Sequence, residues 1–138
     1  MSKSVIITGV SRGIGAALAR LYLERGYVVG GVARRHPEAL LAHRNMHFVQ
    51  ADLTDFQSVR PAIRTLKERM KDTAFETLFL NAGVFGPRPS RAETFSAEDF
   101  MTVMSLNVAA VKATLDACLT LDHRPRYAVA SASISAQR

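Results

Sequence analysis

The chain has 138 residues, of which 48% are apolar and 22% charged, and this composition is typical of one folded domain and excludes a disordered chain. The net charge of +6 is scattered through predicted helices without an aromatic-interleaved basic patch, so we expect no nucleic-acid partner. The single cysteine, Cys118, excludes an internal disulfide and fits a cytoplasmic location. No apolar run looks long enough to span a bilayer and the N-terminus lacks the features of a signal peptide, so we expect no membrane partner.

The first elements alternate between strand and helix. Residues 4–8, SVIIT, form a short and continuously apolar run, which is typical of a strand buried on both faces of a parallel sheet. Apolar residues at helical spacing follow, and Gly26 ends that predicted helix. Residues 27–32 are the second predicted strand, and residues 46–50 are the third.

The same alternation continues toward the middle of the chain. The stretch Thr54-Asp-Phe-Gln57 has the form of a capping box, which predicts a helix over residues 55–71. Residues 75–80 are the fourth predicted strand.

A loop rich in Gly and Pro, residues 83–95, precedes the last predicted elements. Ser96 is expected to cap a long helix over residues 97–120, and residues 127–132 are the fifth predicted strand. Strands that alternate with helices indicate a parallel, doubly wound α/β sheet with right-handed crossovers.

Residues 8–15, TGVSRGIG, join the first strand to the first helix, where a nucleotide-binding fold has its phosphate site. Gly9 would form the tight turn, Gly13 would let the backbone approach a pyrophosphate, and Gly15 would let the helix pack closely on the strand. A strand-to-helix turn without a ligand is the alternative. The position of the turn within a βαβ unit favours nucleotide binding.

These residues closely resemble the T-G-x-x-x-G-x-G signature of the short-chain dehydrogenase/reductase family. The resemblance continues in the same order through the segment 52–54 and through the segment 81–83, where Leu80 replaces the first Asn of the family's Asn-Asn-Ala-Gly. It implies a Rossmann-type doubly wound parallel sheet over residues 1–138, with about five strands present and the C-terminal strands and helices missing.

The resemblance also implies a set of cofactor-binding residues that span these motifs. They are Thr8, Gly9, Ser11, Arg12, Gly13, Ile14, Gly15, Arg34, Arg35, Asp52, Leu53, Asn81, Ala82 and Gly83.

The end of the second predicted strand indicates which cofactor the chain binds. Enzymes that bind NAD usually place a carboxylate there, which accepts a hydrogen bond from the ribose 2′-hydroxyl. In this chain Ala33 has that position and is followed by Arg34 and Arg35, which would attract a 2′-phosphate. Arg12 is similar to the second basic position of NADP-preferring family members. We therefore expect NADP(H), the alternative being that Arg34 and Arg35 are surface charges at a strand end.

The resemblance implies catalytic roles as well. In the family a Ser steadies the substrate oxygen, a Tyr transfers the proton, and a Lys lowers the pKa of that Tyr. An Asn, matched here by Asn107, holds a water joined to the Lys. Among the terminal serines we assign Ser133 to the catalytic position, with Ser131 as the alternative.

The family's Tyr-x-x-x-Lys motif is absent, because no tyrosine of the chain is followed by Lys four residues later. We therefore expect the cofactor-binding N-terminal part of an NADP(H)-dependent oxidoreductase that acts on a carbonyl or alcohol group. For residues 1–138 alone we expect no turnover and, at best, weak NADP(H) binding. The rival hypothesis is a non-catalytic NADP(H)-binding or interaction module that ends at Arg138. A homo-oligomer is implied for a full-length form, and the histidine spacing gives no reason to expect a metal.

Overall fold

The computed structural model describes residues 2–83 and 96–131. Five strands, four α-helices and one π-helical turn lie within these ranges, and every predicted strand and helix is present with its ends within two residues of the predicted ones. The elements are β1 (Lys3–Thr8), α1 (Gly13–Glu24), β2 (Val28–Ala33), β3 (Met46–Gln50), α2 (Phe56–Met70), β4 (Ala74–Leu80), α3 (Ala97–Met104), a π-helical turn (Ser105–Ala109), α4 (Ala110–Leu119) and β5 (Tyr127–Ala130).

The strands form one parallel sheet in the order β3-β2-β1-β4-β5, which confirms the predicted doubly wound α/β fold. In the central strand, Ile6 pairs with Gly30 of β2 on one side and with Leu78 of β4 on the other. Because all five strands run in the same direction, their carboxyl ends meet at one edge of the sheet. That edge is where ligands bind in open α/β sheets.

Two separate hydrophobic cores cover the two faces of the sheet. Val5 and Ile7 are fully buried on the face that α1 covers, and Ile6 is fully buried on the face that α2 and α4 cover. This alternation follows from strand geometry, because successive side chains point to opposite faces. It explains why β1 is apolar at consecutive positions.

The capping interactions of the helices agree with the prediction for Ser96 and disagree for Thr54. The Ser96 hydroxyl accepts a hydrogen bond from the Asp99 N–H at 3.0 Å, so the predicted cap is confirmed. The predicted capping box at Thr54 is wrong: the N-cap residue of α2 is Asp55, and its side chain makes no capping hydrogen bond. The Thr54 hydroxyl instead donates to the Asp52 carboxylate at 2.6 Å, and the Asp52 carboxylate therefore replaces the helix as its partner.

The long C-terminal helix is less regular than predicted. A π-helical turn at Ser105–Ala109 interrupts it, and this turn contains Asn107. All residues of α3 are at least partly exposed, whereas α4 buries one face against the sheet and α2. The fifth strand ends at Ala130 and not at residue 132, so Ser131 already lies beyond the strand.

Among the described helices, the 23-residue segment Ala97–Leu119 is the one that is long and apolar enough to cross a membrane by length and composition, with a mean hydropathy of 1.2 over its most apolar part. The expectation that no apolar run has this length is therefore wrong on this criterion. Core helices of soluble proteins pass the same test, and α4 buries Ala110, Ala117 and Cys118 inside the fold.

We predict that Leu66→Ala strongly destabilises the protein. Leu66 is fully buried between α2 and the sheet, so the variant loses apolar burial and leaves a cavity, at a cost of about 2–5 kcal/mol in the free energy of unfolding. Leu41→Ala is the matched control, because Leu41 is 39% exposed and its truncation should cost less than about 1 kcal/mol. Urea denaturation measures both values, and equal losses would contradict the described core.

We also predict that stability falls as the pH falls below about 6.5, and that His47→Gln reduces this dependence. Burial lowers the pKa of His47 below its ordinary value of 6.5, and the charges of Arg69 and Lys71 lower it further. The unfolded chain therefore binds a proton at a pH where the folded chain does not, so acid favours unfolding. Denaturation between pH 7.5 and 5.5 tests this, and an unchanged slope in the variant would rule it out.

Candidate active site at the carboxyl edge of the sheet

The hydroxyl of Thr8 joins the end of β1 to the end of β4. Its oxygen accepts hydrogen bonds from the backbone N–H groups of Asn81, at 3.0 Å, and Ala82, at 3.1 Å. Thr8 is only 2% exposed, so water cannot easily replace these bonds. This one buried oxygen therefore fixes the backbone that follows β4 relative to the glycine turn that follows β1.

The glycine turn fits tightly against its neighbours. Gly9 has a φ of +70°, and a Cβ atom there would lie 2.9 Å from the Cα of Ala82. A Cβ atom on Gly15 would overlap the carbonyl oxygen of Gly9 and would lie 2.7 Å from the Asn81 amide nitrogen. Hence Gly9 forms the turn and Gly15 permits close packing of α1, as the sequence predicts.

The outer side of the turn is open. Gly13 has a φ of +60°, and no described atom lies within 4 Å of the position of a Cβ atom there. The N-cap residue of α1, Arg12, makes no side-chain capping bond, and the first turn of α1 contains no acidic residue. Ser11 is half-buried, while Ile14 is exposed beside the turn. A helix N-terminus with this chemistry can accept an anion such as a pyrophosphate.

Arg34 and Arg35 follow β2 directly and are exposed. The side-chain amide of Gln50, at the end of β3, donates to the carbonyl oxygen of Arg34 at 2.8 Å. Sequence reasoning missed Gln50, because its partner lies 16 positions away and no local pattern links the two residues. The two arginines therefore lie at the edge where β2 and β3 end.

Asp52 and Leu53 follow β3 and have different surroundings. Hydrogen bonds from the hydroxyl and the backbone N–H of Thr54 lower the pKa of Asp52, and the nearby charge of Arg34 lowers it further while partial burial opposes this. Asp52 is thus a carboxylate at neutral pH. The side chain of Leu53 is buried in the core, so this residue can present only backbone atoms to a ligand.

The predicted residues near β4 and β5 come together around Asn81. Its amide nitrogen donates to the Gly9 carbonyl at 3.3 Å, and its amide oxygen accepts from the Ser131 hydroxyl at 3.2 Å. Gly83 lies close to Asn107, because a Cβ atom on Gly83 would be 3.1 Å from the Asn107 Oδ1 atom. Asn81 therefore links Ser131 to the glycine turn, and Asn107 lies beside the segment that follows β4. Ser133 lies outside the described residues.

Within residues 2–83 and 96–131, no group of three His, Cys, Asp or Glu side chains could hold a metal ion. The one cysteine is buried in the core, and burial raises the pKa of Cys118 to about 12. A thiol with that pKa is protonated at neutral pH and is a poor nucleophile. Neither a metal cluster nor a reactive thiol therefore offers a second candidate site among the described residues.

The model of the short chain dehydrogenase family matches residues 3–129. The chain belongs to this family. It is 34% identical over 116 residues to the NADPH-dependent pterin aldehyde reductase of Arabidopsis thaliana, covering 80% of this chain and 47% of that relative. The chain spans less than half the length of the curated relatives it matches, between 41% and 47% for three of them.

Solved structures of the family resemble the fold throughout the chain. The crystal structure of levodione reductase matches with a TM-score of 0.84 and 25% identity, over 99% of this chain and 56% of that one. The 3-ketoacyl-(acyl-carrier-protein) reductase of Brucella melitensis, complexed with NADH, matches with a TM-score of 0.77 and 25% identity, over 88% of this chain and 49% of that one.

We predict that Thr8→Val destabilises the protein by about 2 kcal/mol, because valine has the same shape but leaves the N–H groups of Asn81 and Ala82 without a partner. Thr8→Ser retains the oxygen and should cost clearly less, although it loses a buried methyl group. Urea denaturation of both variants measures the difference. If valine were tolerated as well as serine, the hydroxyl would not fix this junction.

Proposed function

We propose that the chain supplies the cofactor-binding part of an NADP(H)-dependent oxidoreductase that acts on a carbonyl or alcohol group. The observation that carries the cofactor preference is the end of β2, where Ala33 is followed by the exposed Arg34 and Arg35. No carboxylate follows β2 directly, so nothing there would repel a 2′-phosphate. Guanidinium groups bind phosphate through short, charge-assisted hydrogen bonds.

The relatives differ in the cofactor that their names or structures state. The name of the Arabidopsis relative states NADPH, whereas the Brucella structure contains NADH. Family membership alone therefore does not select between the two cofactors. Their difference is the 2′-phosphate, and Arg34 and Arg35 are the charged residues placed to distinguish it.

The described residues fit a dinucleotide along the carboxyl edge. The open side of Gly13 and the N-terminus of α1 would hold the pyrophosphate, which needs a close approach to the backbone. The Asp52 carboxylate and the Leu53 backbone would hold the adenine end. Arg34 and Arg35, with Arg12 beside the turn, would hold the 2′-phosphate.

The cofactor would supply or accept the hydride, so the chain's task is binding, orientation and proton handling. Asn81 is well placed for orientation, because its side chain links the Gly9 carbonyl to the Ser131 hydroxyl. We assign Ser133 to the substrate oxygen, with Ser131 as the alternative, and Asn107 to the proton pathway. Residues 1–138 contain no Tyr-x-x-x-Lys pair, so we expect no turnover and, at best, weak cofactor binding from this chain alone.

We predict that Arg34→Gln weakens NADPH binding about 10- to 100-fold and changes NADH binding less than about threefold, because only NADPH has the 2′-phosphate that the guanidinium contacts. Arg20→Gln, which removes an exposed charge from α1, is the matched control and should leave both affinities unchanged. Titration calorimetry with each cofactor measures the dissociation constants. Equal weakening of NADH and NADPH by Arg34→Gln would overturn the proposed preference.

A further inference from the structure

The end of β3 holds the backbone that leads into the two arginines. The Ala51 N–H donates to the carbonyl of Ala33 at 3.0 Å, and the side chain of Gln50 donates to the next carbonyl, that of Arg34, at 2.8 Å. Both lengths are those of well-formed hydrogen bonds. Two successive carbonyls, at the end of β2 and directly after it, are therefore bound by Gln50, the last residue of β3, and by Ala51, which follows β3.

These two bonds differ in kind. The bond from Ala51 continues the backbone pairing of β2 with β3, in which Ala33 already pairs with Gln50. The bond from Gln50 uses a side chain, and it reaches a residue that lies beyond the strand. Backbone pairing ends at Ala33, and the Gln50 amide holds the backbone of Arg34, one residue further along the chain.

Control of this residue matters because the Arg34 side chain is long and exposed. Fixing a backbone residue costs about 1–2 kcal/mol of conformational entropy, and a free loop would pay this cost when the ligand binds. A loop that is already ordered in the unliganded protein binds more tightly without a new contact. Gln50 never needs to touch the cofactor to act in this way.

The residues that follow β3 place a negative charge near Arg34. The Asp52 carboxylate is close enough to feel its charge, and Thr54 holds that carboxylate with two hydrogen bonds. Arg34 is thus anchored at its carbonyl by Gln50 and has a fixed counter-charge near its side chain. The Gln50 amide and the Asp52 carboxylate both belong to the end of β3 and the residues that follow it.

We propose that Gln50 is a positioning residue for cofactor preference, which acts by orienting Arg34 toward the 2′-phosphate. This inference rests on the proposed NADP(H) preference of the chain. It assigns part of the discrimination between the two cofactors to a neutral side chain on a neighbouring strand. A purely structural role for Gln50 would affect both cofactors alike.

The test is the ratio of the NADH to the NADPH dissociation constants, measured by titration calorimetry for the whole chain. Gln50→Met retains the length of the side chain but cannot donate, and we expect it to lower this ratio roughly three- to tenfold, the range of a single hydrogen bond. Gln57→Met, which removes an exposed amide from the start of α2, should leave the ratio unchanged. Denaturation of both variants checks that they are folded.

A double-mutant cycle with Arg34→Gln separates the possible outcomes. If Gln50 acts through Arg34, then Gln50→Met should have no further effect on the ratio once Arg34 is glutamine. An unchanged ratio in Gln50→Met, or equal weakening of both cofactors, while Arg34→Gln still lowers the ratio, overturns the inference and leaves the proposed function intact. An unchanged ratio in Arg34→Gln overturns the proposed preference, and the inference falls with it.

Discussion

The buried hydroxyl of Thr8 is the interaction on which the site depends. Parallel strands are joined along their length by backbone hydrogen bonds, but these bonds stop where β1 and β4 end. At that point the Thr8 oxygen accepts from two successive N–H groups of the segment after β4 and so continues the connection past the sheet. Leaving these two partly buried donors unpaired would cost about 2 kcal/mol, at the low end of the range for buried donors because water can reach them in part. The position of Asn81, and through it the contacts of Gly9 and Ser131, follows from this junction.

The strand order divides the site into two halves with different tasks. From β1 the chain order proceeds outward to β2 and β3 on one side, and to β4 and β5 on the other. The crevice at such a switch point is where ligands bind in this class of sheet. The β2–β3 side contains Arg34 and Gln50, and the β4–β5 side contains Asn81 and Ser131. In the proposed function, cofactor preference and the handling of the substrate oxygen would therefore depend on separate groups of residues, which need not change together.

Most of the fold could be predicted from the sequence because its signals are local. A continuously apolar run such as residues 4–8 predicts a strand with two buried faces, and the structure indeed places Ile6 and its neighbours in different cores. The turn of Gly9, Gly13 and Gly15 likewise follows from what these positions require of the backbone. Family resemblance and physical reasoning agree here, since both depend on the same glycines.

The features that could not be predicted depend on competition between distant or alternative partners. Thr54 has the sequence pattern of a helix cap, but the carboxylate of Asp52 is nearer and takes its hydroxyl. The contact of Gln50 with Arg34 joins residues 16 positions apart, and no spacing rule in one sequence reveals it. The π-helical turn could not be predicted from the sequence either, because one extra residue in a turn changes the helical period only locally.

The π-helical turn also divides the long helix into parts of unequal thermodynamic protection. Every residue of α3, before the turn, retains some exposure, whereas burial begins at Ala110, directly after it. Opening α3 therefore exposes little new apolar surface, while opening α4 requires its separation from α2 and the sheet. Amide hydrogens should exchange quickly before the turn and slowly after it. Asn107 lies in the turn between the weakly protected α3 and the strongly protected α4. Local opening of α3 can therefore move this residue while the core stays folded.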